Sequence, residues 1–327
     1  KEAGFTELNE NDRWAEKGLL KPGGKYYYTR CASSIVAFAV GSKFEPGNGF
    51  KVVGAHTDSP VLKVKPISKK TAHGYLQVGV ECYGGGLWHT WFDRDLSLAG
   101  CVIVQKEDGK FERKLVHIDR ALLRVPNLCI HLQTADERSK LEVNKENHLV
   151  PILAMVEQEL NKTKEGNETS GVDGRHAPEL LGILAEHIGC KIEAIKDMDL
   201  TLYDVQEGST WGNSNEFFSS ARLDNQVHCF TALEALVQHS QAGLAADSDV
   251  SVAVCFDHEE VGSDSTHGAG SPIMAEIVER VNECFGVNNG GELSKISLRK
   301  PKPSTPKPPN PETPNHQHYT GSPKSEH

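Results

Sequence analysis

The chain lacks long apolar runs. Its longest uninterrupted one, Ile35 to Val40, falls far short of the roughly 20 residues that a membrane-spanning helix needs, so no membrane partner is expected. Basic clusters interleaved with aromatics are missing too. Lys+Arg number 35 against Asp+Glu 45, a net charge of -10, which leaves an acidic surface and excludes a nucleic-acid footprint. No Cys-x-x-Cys pair occurs among Cys31, Cys82, Cys101, Cys129, Cys190, Cys229, Cys255 and Cys284. Most of these sit inside apolar strings such as Val252 to Phe256, which suits a reduced, cytoplasmic protein better than a disulfide scaffold or a cysteine zinc site. The chain opens on Lys1 rather than methionine, so a preceding segment, a targeting one included, is left open.

What is present is enough apolar material, 38% of 327 residues, for one large core or two smaller ones. The first half reads as strands. Tyr26 to Thr29, Ile35 to Val40, Lys51 to Ala55, Val61 to Val64, Leu76 to Cys82, Ala99 to Gln105 and Arg113 to His117 are β-branched or aromatic runs punctuated by Gly, Pro and Asp-Gly. A helix is expected over Pro178 to His187, with proline in its first turn and an end near Gly189, then a strand-like stretch from Ile192 to Tyr203.

From Asp224 the pattern becomes α/β. A helix should run to about His239 with Phe230, Leu233 and Val237 on one face, followed by a strand, Val250 to Phe256. That strand is apolar almost throughout, as in a parallel sheet buried on both sides. A second helix is expected over Pro272 to Phe285, where Met274, Ile277, Val278, Val281 and Phe285 recur at helical spacing. Eight of the 16 prolines then fall between Pro301 and Pro323. From Gly290 onward such a composition reads as a disordered tail, in which Ile296 and Leu298 could add one short strand.

Three motifs carry residues with chemistry, each at a strand end or helix start. In Gly54-Ala55-His56-Thr57-Asp58-Ser59-Pro60 the strand delivers His56 to the sheet edge. Asp58, two residues on, points to the same side and is placed to take the free imidazole N–H, which fixes the tautomer of a metal-bound histidine. The plain alternative is a polar strand end. In Ala221-Arg222-Leu223-Asp224-Asn225 the aspartate is either a helix N-cap or a carboxylate bridging two metal ions. In Asp257-His258-Glu259-Glu260-Val261-Gly262-Ser263 two glutamates leave an apolar strand. Either they form a charged loop tip, or one ligates a metal while its neighbour acts as general base on water. Imidazole with hard carboxylates suits zinc, or manganese and cobalt in the same site.

These motifs, together with Tyr83-Gly84-Gly85-Gly86-Leu87-Trp88 and Trp91-Phe92-Asp93-Arg94-Asp95-Leu96, resemble the aspartyl aminopeptidases, which are dinuclear zinc exopeptidases. The likeness runs from Gly4 to about Phe285. It implies an α/β, zinc-exopeptidase-like catalytic domain interrupted by a mainly β dimerisation insert. The division expected is residues 1–67 for the first part of the catalytic domain, 68–210 for the insert, 211–289 for the second part and 290–327 for the tail. By the same resemblance His56 is a zinc ligand, Asp58 its support, Asp224 the bridge between two zincs, Glu259 the general base and Glu260 a ligand of the other zinc. His131 resembles an insert histidine that reaches into a partner subunit's active site. The substrates implied are peptides with an N-terminal Asp or Glu, and the protein is expected to self-associate through the insert.

The resemblance also implies two further ligands, an aspartate and a histidine, from segments after the Glu-Glu motif. The sequence leaves the family pattern at about Asn288, and nothing from Gly290 to His327 resembles those segments. The site is therefore expected to be incomplete as written, with at most one zinc held tightly. Two functions follow: a metallo-aminopeptidase acting through zinc-activated water, or a non-catalytic relative that joins oligomers through the insert.

Overall fold

The computed structural model describes residues 1–156 and 174–286. The expected tail, with Ile296 and Leu298, lies outside the described residues.

The chain begins with four strands, β1 (Thr6–Glu7), β2 (Lys25–Arg30), β3 (Ser34–Val40) and β4 (Phe50–His56). It then builds β5 (Val61–Ala72), β6 (Tyr75–Tyr83), β7 (Leu96–Gln105), β8 (Phe111–His117), β9 (Ile152–Met155) and β10 (Ile195–Asp204), followed by the short β11 (Ser209–Trp211) and β12 (Phe217–Ser219). It returns through the helix Leu223–Ala242 to β13 (Val250–Phe256) and ends, within the described residues, on the helix Ile273–Cys284. Each of the seven strands expected in the first half is present. The alternating or continuous β-branched patterns needed only turn residues to delimit them.

Two large sheets result. One has the order β1-β2-β3-β13-β4 and the other β8-β7-β10-β5-β6-β9, with β11 and β12 paired separately. The second is antiparallel throughout. Leu180, Leu181 and Leu184 of the helix Pro178–Ile188 are buried in its core cluster. That helix starts with its proline in the first turn and stops at Gly189, whose left-handed conformation (φ 75°, ψ 45°) glycine adopts without steric cost.

The first sheet is mixed, which corrects the expectation of a parallel one. β13 runs parallel to β4, with Phe256 opposite His56, but antiparallel to β3, with Val250 opposite Val40. Every residue of β13 is buried because helices cover both faces of the sheet, whatever the direction of its neighbours. On one face Ile273, Ile277 and Val281 pack into a cluster with Trp14, Tyr28, Phe38, Val252 and Val254. On the other, Ala232 and Leu236 meet Ala37, Ala39 and Ala253, and Cys229 meets Ala55 and Cys255.

The buried stripe of the helix Leu223–Ala242 is therefore Cys229, Ala232, Leu236 and Ser240, not Phe230, Leu233 and Val237. Leu233 and Val237 lie at its margin, and Phe230 is 67% exposed. The sheet face beneath is built of alanines, so the helix approaches closely through its own small residues and turns the phenylalanine out. We expect Leu236→Ala to cost about 2–5 kcal/mol in urea unfolding, as buried leucine truncations do. Phe230→Ala on the same helix should stay within about 0.5 kcal/mol; equal losses from the two would refute this facing of the helix.

Candidate metal centre

Because β4 and β13 are parallel neighbours, their C-terminal ends lie side by side, the edge at which open α/β sheets place their sites. His56 closes β4 and is only 9% exposed. The next amide, Thr57 N–H, still donates to Phe256 O at 2.7 Å, so the two chains leave the sheet together. Beyond β13, His258 adopts a left-handed conformation (φ 63°) and opens a short turn, Glu259–Val261, which Gly262 ends at φ 101°.

This turn aims two backbone amides at one carboxylate. Asp58 Oδ1 accepts from Glu259 N–H at 3.1 Å and Oδ2 from Glu260 N–H at 3.0 Å. Tyr83 O–H donates to Oδ2 at 2.8 Å. The Asp58 side chain is only 7% exposed, and these bonds replace the water it has lost. Burial, reinforced by the bond to Asp58, raises the Tyr83 phenol pKa and keeps it a donor.

His56 Nδ1 lies 3.0 Å from the Asp58 carbonyl oxygen and 3.3 Å from Asp58 Oδ1. Both are acceptors, so the tautomer that fits them carries its proton at Nδ1 and presents a lone pair at Nε2. Nε2 faces Asp224 Oδ1 at 3.2 Å and Glu259 Oε2 at 3.8 Å. A lone pair facing two carboxylate oxygens has nothing to share with them, and a cation between them would resolve the conflict. His56, Glu259 and Glu260 offer donor atoms within 4.8 Å of one another. Burial pushes the Glu260 carboxyl above the ordinary glutamate range, and the charges of Glu259 and Asp58 add to that shift. Among the described residues no lysine or arginine forms an ion pair with Asp58, Asp224, Glu259 or Glu260. The donor set fits zinc.

Asp224 is not an N-cap. The cap position is Arg222, without a side-chain bond, and Asp224 itself has non-helical angles (φ -85°, ψ 109°). Its side chain is 85% exposed. Its backbone is fastened instead: Ser59 Oγ donates to Asp224 O at 3.0 Å, and Gln226 Nε2 donates to Thr57 O. A cleft of about 680 Å³ opens beside Asp224 and Glu260, with Trp91, Arg94 and Arg222 on its walls.

The structure thus brings together His56, Asp58, Asp224, Glu259 and Glu260. His131 does not join them. It is exposed on the short turn Ile130–Leu132. Two residues of the site had no assigned role in the sequence reading, Tyr83 and Gly84. Gly84 has φ 76°, and a Cβ there would lie 2.8 Å from Glu260 Cβ. The glycine run after an aromatic was the available signal. Gly84→Ala should therefore displace Glu260 and weaken zinc binding in a calorimetric titration. Asp58→Asn should lower zinc affinity about 10–100-fold, the usual cost of removing a group that orients ligands. Unchanged affinity in both variants would show that neither residue positions the centre.

Comparison with known proteins bears on this geometry. The profile of the Aminopeptidase I zinc metalloprotease (M18) family matches residues 1–300, reaching past Asn288. An aspartyl aminopeptidase of Aspergillus oryzae is 43% identical over 310 residues, covering 89% of this chain and 61% of the relative. Among solved structures, the Ape4 chain of an Ape4–Nbr1 complex is 44% identical with a TM-score of 0.82, covering 88% of this chain and 55% of that one. A Saccharomyces cerevisiae mApe1 dodecamer is 27% identical with a TM-score of 0.75, covering 90% of this chain and 63% of that one. The chain thus spans about three fifths of the length of such relatives. Its α/β sheet with a β-rich second unit and its cluster of one imidazole and several carboxylates agree with the profile: the chain belongs to the M18 family of zinc metalloproteases.

Proposed function

We propose that the His56 centre holds zinc and that the protein is a metallo-aminopeptidase removing N-terminal aspartate or glutamate from peptides. The observation that carries this reading is the convergence of His56 Nε2 on Asp224, Glu259 and Glu260 at the sheet edge, where no lysine or arginine among the described residues forms an ion pair with them. His56, Asp224 and Glu260 would hold the metal, and manganese or cobalt suits the same donors. Bound zinc supplies a Lewis acid for the scissile carbonyl and lowers the pKa of water. Glu259, half exposed beside the cleft, takes the proton from the attacking water at its carboxylate and returns it to the departing amine. Asp58 orients the imidazole and the glutamate turn together.

An acidic substrate side chain would meet Arg222, whose guanidinium lies 5.9 Å from the centre of the Tyr203 ring and has no carboxylate partner among the described residues. The name of the Aspergillus oryzae relative favours the same substrate class. Self-association would use the six-stranded unit, where Leu128, Ile130 and Leu132 are exposed around His131. The dodecameric neighbour is precedent for assembly, and His131 would then reach a second copy's cleft. All eight cysteines are free thiols, as a cytoplasmic setting requires.

With zinc supplied, the protein should release N-terminal Asp and Glu from peptides in preference to Leu. Glu259→Gln should lower kcat by at least about 100-fold while keeping its zinc, and Arg222→Ala should raise KM for the aspartyl substrate. Equal rates on leucyl and aspartyl peptides would sink the specificity, and full activity in Glu259→Gln would sink the assigned base.

A further inference from the structure

The loop that carries Glu259 and Glu260 holds a second group of ligating side chains, sharing no residue with the His56 centre. Asp257, His258 and His267 offer donor atoms within 4.8 Å of one another. His258 Nε2 lies 3.5 Å and His267 Nε2 3.7 Å from the same atom, Asp257 Oδ2. Both separations exceed the 2.7–3.2 Å range of hydrogen bonds. Two donors bound tetrahedrally to one zinc at about 2.0–2.2 Å stand roughly 3.3–3.6 Å apart. The spacing is that of ligands around an ion rather than of partners in a bond.

The remaining atoms of the group are already committed. His258 Nδ1 is 2.9 Å from Ser265 Oγ, and His267 Nδ1 is 2.9 Å from Thr266 Oγ1. A hydroxyl accepts from a ring N–H as readily as it donates to a bare ring nitrogen; with the proton at Nδ1 of each ring, both Nε2 lone pairs face Asp257. Asp257 Oδ1 accepts the His258 amide at 2.8 Å, so Oδ2 is the free oxygen. The rings sit with centroids 4.4 Å apart.

The backbone beneath is fastened by hydrogen bonds. Ser34 Oγ, on the buried strand β3, accepts from Asp257 N–H at 2.9 Å and donates to His267 O at 2.8 Å. Asp257 N–H also points to His267 O at 3.2 Å. One buried hydroxyl thus fastens both ends of the loop, a firm support for a ligand set.

We propose that Asp257 Oδ2, His258 Nε2 and His267 Nε2 form an auxiliary site for a divalent transition-metal ion of the zinc class. Two imidazoles and one carboxylate suit zinc, copper and nickel, and all three residues are half-buried, leaving further positions to water. The ion would tie residues 257–258 to residue 267 and hold the turn bearing Glu259 and Glu260. This site is independent of the function proposed for the His56 centre.

The test uses Zn2+ alone on the chelator-stripped protein, in equilibrium dialysis. His56→Ala should retain one bound zinc per chain. Adding His258→Asn and His267→Gln to it should weaken that binding by more than about 100-fold, the upper cost of removing a group that only orients ligands. Unchanged zinc content in the triple variant would overturn the proposal. A second readout needs no substitution: in the wild-type protein Zn2+ should protect His258 and His267 from diethyl pyrocarbonate, mapped by mass spectrometry. Equal modification with and without zinc would overturn it as well.

Discussion

The parallel pairing of β4 with β13 is the constraint on which the rest depends. The two strands are distant in sequence, yet seven residue pairs from Val250–Phe50 to Phe256–His56 fix their register. A slip of one residue would turn His56 to the opposite face of the sheet and move it out of line with the turn that follows Phe256. Burial defends the register: β13 is covered on both faces, and a slip would exchange the large side chains of one layer for the alanines of the other. The geometry of the candidate centre is set in this way by core packing before any polar group contributes.

Asp58 then converts strand register into site geometry. One carboxylate receives amides from residues 201 and 202 positions away and a phenol from the second sheet, and lies beside the histidine ring two residues before it. Negative charge is thereby concentrated, and the Glu260 carboxyl, raised first by burial, is raised further by the charges of Glu259 and Asp58. Such a cluster is costly to the metal-free fold. A divalent ion bound there would offset that cost, since it would relieve repulsion as well as form bonds.

Much of this was legible in the sequence because the signals are local. Strand periodicity, the proline and glycine bounding Pro178–Ile188, and the motifs around His56, Asp224 and Glu259 each lie within a few residues. Long-range choices were not legible. Apolar residues of the helix Leu223–Ala242 fit a stripe through Cys229, Ala232 and Leu236 as well as one through Phe230, Leu233 and Val237, and only the alanine face beneath selects the first. The mixed direction of the sheet was hidden for a similar reason, since two covering helices bury a strand regardless of its neighbours. Tyr83 and Gly84 stood in view as an aromatic and a glycine, but their meaning lies in Asp58 and Glu260.

Gly84 leaves the second sheet and passes close enough to Glu260 that a single methyl group would not fit, and its neighbour Tyr83 supplies a donor to Asp58. The β-rich unit therefore touches the candidate centre directly. It furnishes one wall of the centre, so the two units together shape the ligand-bearing turn. Transplanting either onto a foreign partner would leave the ligand-bearing turn without the surface that shapes it.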